Sequence, residues 1–96
     1  MKHTVLIVDD SADYRRIFSR ILAAGGFRVL TAGSAEEARL LLATTPPDAA
    51  LLDWNLPGDS GIDLAREIRR DPRLARMPLL MLSVNARPED QIQGLS

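Results

Sequence analysis

The sequence contains no cysteine, so disulfide frameworks, thiolate zinc sites and cysteine nucleophiles are excluded together, and a reducing cytoplasm is the simplest expected compartment. Lysine occurs once, as Lys2, and the formal net charge is -1. Without a cationic excess there is no general attraction to nucleic acid or to an anionic membrane surface. The apolar runs stop far short of the roughly 20 residues that a membrane-crossing helix needs. Met1-Lys2-His3 leads into a short run closed by two aspartates, with no export signal. What remains, 96 residues at 46% hydrophobic and 26% charged, is the composition of one soluble globular domain with a modest core.

The hydrophobic pattern alternates between two periods. Val5-Leu6-Ile7-Val8, closed by Asp9-Asp10, is a continuous aliphatic run that predicts a strand buried on both faces. Tyr14, Ile17, Phe18, Ile21 and Leu22 then recur at helical spacing, with Asp10 or Ser11 able to cap the start and Gly25-Gly26 able to end it. Tyr14 and Phe18 lie on that stripe and are expected in the core. Residues 28–32 predict a second strand, and Ser34 with Glu37 has the spacing of a capping box for a helix running to about Thr44. After Pro46-Pro47-Asp48 a third apolar run, Ala49-Ala50-Leu51-Leu52, again ends on an acid, Asp53. Leu56-Pro57-Gly58 predicts a turn. Ser60 with Asp63 offers a cap for a third helix that Asp71-Pro72 stops, residues 78–83 predict a fourth strand, and Arg87-Pro88-Glu89-Asp90 the first turn of a fourth helix. Alternating strands and helices with short links imply βαβ units, hence a parallel, doubly wound α/β sheet covered on both faces.

In such sheets ligands gather beyond the carboxyl ends of the strands, where Asp9, Asp10, Asp53 and Ser83 are expected. If the first and third strands are neighbours, three carboxylates converge, which mutual repulsion disfavours unless a cation neutralises them. Oxygen-only ligation selects a hard ion, with Mg2+ the first choice. One carboxylate could then serve as a nucleophile, because aspartyl phosphate formation is established covalent chemistry. Taken singly, Asp10 is accounted for by a cap or turn, Ser83 by a turn hydroxyl and Asn55 by a loop. His3 is expected to be an uninvolved strand residue near the terminus, and solvated faces account for the arginines.

Together, Val5-Leu6-Ile7-Val8-Asp9-Asp10-Ser11, Leu51-Leu52-Asp53-Trp54-Asn55-Leu56-Pro57-Gly58, Ser60-Gly61 and Leu80-Met81-Leu82-Ser83 resemble the receiver domains of two-component response regulators. The resemblance extends over residues 1–96. It implies a flavodoxin-like fold with strand order 2-1-3-4 and a cytoplasmic signalling switch, not an enzyme, that accepts a phosphoryl group from a histidine kinase or phosphotransfer protein. Asp53 would be the phosphoacceptor, and Asp9 and Asp10 the acidic pair that holds Mg2+ with Asp53. The main-chain carbonyl of Asn55 would complete the protein ligands, and Ser83 would be the switch hydroxyl.

Receivers also carry a lysine at the end of a fifth strand. Lys2 stands before the first strand instead, at the opposite edge of the sheet. The fifth strand and last helix, roughly 20 to 25 residues at usual element lengths, have no counterpart, so an incomplete receiver is expected. Its fourth strand, Leu79-Leu80-Met81-Leu82, would then be an apolar edge prone to self-association or segment exchange. Two other functions remain open: an interaction module that does not use phosphorylation, and a Mg-dependent phosphohydrolase. The Asp-x-Asp arrangement expected of aspartate-nucleophile phosphatases is absent.

Overall fold

A computed structural model describes residues 2–53, 56 and 61–82. The order of elements is β1 (Thr4–Val8), α1 (Ala12–Ala24), β2 (Arg28–Ala32), α2 (Ala35–Thr44), β3 (Ala49–Asp53), α3 (Gly61–Arg70) and β4 (Leu79–Leu82). All strand pairs are parallel, and the order across the sheet is β2-β1-β3-β4. This is the order that the family resemblance implies. β1 lies inside the sheet, and Val5 to Val8 are buried, as their continuous apolar run requires.

Period-2 alternation divides the strand residues between two faces. Leu6 and Val8 of β1 and Ala50 and Leu52 of β3 join Ala35, Ala38 and Leu42 of α2 and Leu64 and Ile68 of α3 in the main core cluster. Arg39 of α2 holds Glu67 of α3 across the surface of this layer through two hydrogen bonds, 2.8 and 3.3 Å.

The local signals explain the helix ends. Ser11 is the N-cap of α1, its Oγ accepting the Tyr14 N–H at 3.3 Å. At the other end Gly26 takes a φ of 91°, a left-handed conformation costly for any residue with a Cβ. Ser34 caps α2 and accepts from the Glu37 N–H, but the Glu37 carboxylate turns back to the N–H of Gly33, one residue ahead of the cap.

One packing expectation is corrected. Among the described residues α1 contributes none that is fully buried; Tyr14, Phe18 and Leu22 are half-buried, while Ile17 and Ile21 are 49% and 62% exposed. At 100° per residue the two isoleucines fall on one flank of the apolar stripe, and that flank turns away from the sheet. The predicted turn at Leu56-Pro57-Gly58, the cap at Ser60 and the helix start at Arg87 lie outside the described residues, apart from Leu56, which is buried.

Candidate metal centre

β1 and β3 are adjacent and parallel, in a register that pairs Val8 with Leu52. The next residue on each strand path is Asp9 and Asp53, so the register itself sets the two carboxylates side by side at the carboxyl edge. Asp10 follows one residue later, at the surface. One carboxylate oxygen from each of Asp9, Asp10 and Asp53 lies within 4.8 Å of the others. Asp9 and Asp53 are fully buried. Two ionised carboxylates at the outer limit of that spacing, 4.8 Å, repel by about 3.5 kcal/mol at an effective dielectric of about 20.

The hydrogen bonds of Asp9 show what the site is shaped to accept. Its N–H donates to the Ala32 carbonyl at 3.0 Å. Its carbonyl accepts from Arg15 Nη1 at 2.7 Å, and its Oδ1 accepts the Ser11 N–H at 2.9 Å. Only Oδ2 is left, buried and without a partner among the described residues. A buried carboxylate oxygen in that state is costly, and a cation between the three acids removes the cost. An all-oxygen donor set suits a hard divalent ion such as Mg2+, which needs few protein ligands and keeps several waters. A cavity of about 130 Å³ between α2 and α3, lined by Arg39, Leu42, Leu64 and Glu67 among others, includes none of the three aspartates.

Residues 5–96 match the family described as the response regulator receiver domain. The chain belongs to that family. Among curated relatives, it is 40% identical over 92 residues to the phosphate regulon transcriptional regulatory protein PhoB of Pseudomonas aeruginosa, covering 96% of this chain and 40% of that protein. It is also 40% identical over 91 residues to the chemotaxis protein CheY of the same organism, covering 94% of this chain and 73% of that protein. The chain thus spans about 40% of the length of the first curated relatives it matches. Among solved structures, the N-terminal domain of a response regulator receiver protein from Methanoculleus marisnigri aligns with a TM-score of 0.82 at 37% identity, over 95% of this chain and 75% of that one. The chemotaxis response regulator CheY4 of Vibrio cholerae aligns with a TM-score of 0.85 at 29% identity, over 99% of this chain and 79% of that one.

Within this receiver, three of the five expected site residues, Asp9, Asp10 and Asp53, come together. The other two, Asn55 and Ser83, lie outside the described residues. Capping falls to Ser11 and not to Asp10, which leaves Asp10 available to the cluster. His3 stands before β1, exposed, with its Nδ1 3.6 Å from Asp48 at the edge opposite the aspartates. Lys2 precedes it. Arg15 departs from the expectation that the arginines only solvate helix faces, since its guanidinium folds back onto the end of β1. No motif marks that contact; helix geometry alone, which tilts side chains toward the N-terminus, could have raised it.

Proposed function

We propose that this receiver is a phosphorylation-activated switch in which Asp53 takes a phosphoryl group from a histidine kinase or phosphotransfer protein. The observation that carries the proposal is the convergence of Asp9, Asp10 and Asp53 at the carboxyl ends of β1 and β3 in a member of the receiver family. In this reading a carboxylate oxygen of Asp53 attacks phosphorus, the new O–P bond forms as the donor's N–P bond breaks, and the imidazole leaves with the electron pair. Asp9 and Asp10 hold Mg2+ together with Asp53 and, by resemblance, the Asn55 carbonyl. Bound there, the ion would neutralise the acidic cluster and screen the charge of the incoming phosphoryl group. Ser83 serves as the switch hydroxyl on the same resemblance, and the cytoplasm is the compartment that this chemistry and the lack of cysteine favour.

Incubation with Mg2+ and a small phosphodonor should give an acid-stable, base-labile mass increase on the wild type and none on Asp53→Asn. Labelling that survives in Asp53→Asn sinks the assignment of the acceptor. A second reading, an interaction module that does not use phosphorylation, draws support from Leu80, 58% exposed on β4. A wild-type chain that binds Mg2+ and takes no label from any donor would favour it.

A further inference from the structure

We propose that Arg15 is a positioning residue for the metal centre, and that Gly33 is the clearance that lets it act; this rests on the assignment of the aspartates as metal ligands. Three of the four polar atoms of Asp9 are committed to hydrogen bonds, and the fourth, Oδ2, belongs to the cluster. Two of the three anchors are main-chain groups of Ala32 and Ser11. The third is a side chain, the Arg15 guanidinium, which reaches back across the first turn of α1 to the Asp9 carbonyl at 2.7 Å. A charge-assisted bond of that length is among the stronger kinds, and it fixes the peptide that joins Asp9 to Asp10. Two of the three proposed ligands therefore hang from a peptide that Arg15 holds.

Gly33 lies at the start of the connection from β2 to α2, beside this contact. A Cβ on Gly33 would stand 3.1 Å from Arg15 Nη1 and 3.5 Å from its Cζ. Gly33 does not hold a left-handed φ, so its own backbone accepts alanine and the crowding falls on the guanidinium. The Asp9 N–H bond to Ala32 ties the ligand loop to the end of β2, and the Arg15 guanidinium sits where any side chain at Gly33 would crowd it. On charge alone, a guanidinium near the cluster would oppose a divalent cation. Positioning and charge thus predict opposite signs when Arg15 is removed.

The test is calorimetric titration of MgCl2 into the wild type, Arg15→Met, Arg15→Lys, Gly33→Ala and the double variant, with thermal melts of each in EDTA. Loss of a group that orients metal ligands from outside the ligand set typically weakens affinity by roughly tenfold or more; that is the expectation for Arg15→Met, with part of the loss recovered by Arg15→Lys. Gly33→Ala should weaken Mg2+ binding in the wild-type background and change nothing in the Arg15→Met background. An unchanged or tighter affinity in Arg15→Met overturns the proposal, as does a lowered melting temperature in EDTA with unaltered affinity. Should Arg15→Met fail to fold, unchanged affinity in Gly33→Ala overturns it alone. If Asp9→Ala with Asp10→Ala binds Mg2+ as the wild type does, the metal assignment fails and this inference with it. Wild-type binding that depends on the aspartates but not on Arg15 removes this inference only.

Discussion

Asp9→Asn should make the protein more stable without Mg2+ and less stable with it. Asparagine keeps the Oδ1 that accepts the Ser11 N–H and places an amide where Oδ2 is now buried without a partner among the described residues. It removes one charge from a pair of buried carboxylates within 4.8 Å of each other, whose repulsion at that outer separation is about 3.5 kcal/mol at an effective dielectric of about 20. Relaxation of the cluster, and charge repulsion already present in the denatured chain, reduce the expected gain to about 1–2 kcal/mol. For a domain of this size that corresponds to a rise in melting temperature of roughly 5–15 °C in EDTA. The wild type, at Mg2+ about a hundredfold above its dissociation constant, gains about 2.7 kcal/mol by linkage, and the variant should lose most of that gain. Thermal melts of both proteins in EDTA and in saturating MgCl2 should therefore cross. A variant less stable than the wild type in EDTA, or one that keeps the full Mg2+ shift, would refute the electrostatic account of the cluster.

Arg69→Ala should destabilise the turn between α3 and β4 by about 1–2 kcal/mol, because Arg69 Nη1 donates to the carbonyls of Ala75 and Met77 at 2.8 and 2.7 Å; urea melts with an unchanged slope and no change in midpoint would contradict it. The side-chain hydrogen bond from Arg73, followed by the Arg73 N–H, holds the Asp71 carboxyl below the usual carboxylate range. Its contribution to stability is thus present above the unfolded value of about 3.9 and is lost as pH falls through the lower folded value. NMR titration should show the Asp71 midpoint rising in Arg73→Ala, and an unmoved midpoint would reject the pair as the cause. Leu80, 58% exposed on β4, is expected to support concentration-dependent self-association, which Leu80→Lys should abolish; light scattering that finds the wild type monomeric at every concentration would dispose of that surface.

The strands were legible because a sheet buried on both faces needs uninterrupted aliphatic runs, and Val5 to Val8 and Ala49 to Leu52 have no other economical reading. The acids that close those runs were legible for a related reason, since a charge after a buried strand marks where the chain leaves the sheet. Ser11 and Ser34 announced their helices through cap chemistry. The width of the buried face of α1 was not legible. Helical spacing places Ile17 and Ile21 in the same stripe as Tyr14, Phe18 and Leu22, and only the extent of the surface opposite decides which flank is covered. The roles of Arg15 and Gly33 were hidden for a different reason: they depend on the β1–α1 and β2–α2 connections meeting in space, and neither residue type is unusual where it stands.

The site also depends on register in a way that ties function to core packing. Val8 pairs with Leu52, and both side chains enter the cluster beneath α2 and α3. Asp9 and Asp53, one residue further, are brought together by the same pairing. Side chains alternate with a period of two, so a one-residue slip of β3 would turn Ala50 and Leu52 out of that core and carry the Asp53 carboxylate away from Asp9. Burial of apolar side chains at about 25 cal/mol per Å² therefore holds two mutually repelling carboxylates together at the sheet edge. Core substitutions that loosen β3, such as Leu52→Ala, should weaken Mg2+ binding although Leu52 is not among the proposed ligands, and the fall in affinity should follow the loss of β1–β3 pairing seen by amide exchange. Affinity that stays constant while exchange at β3 accelerates would show that the aspartates are held by their own loops and not by the strands that lead into them.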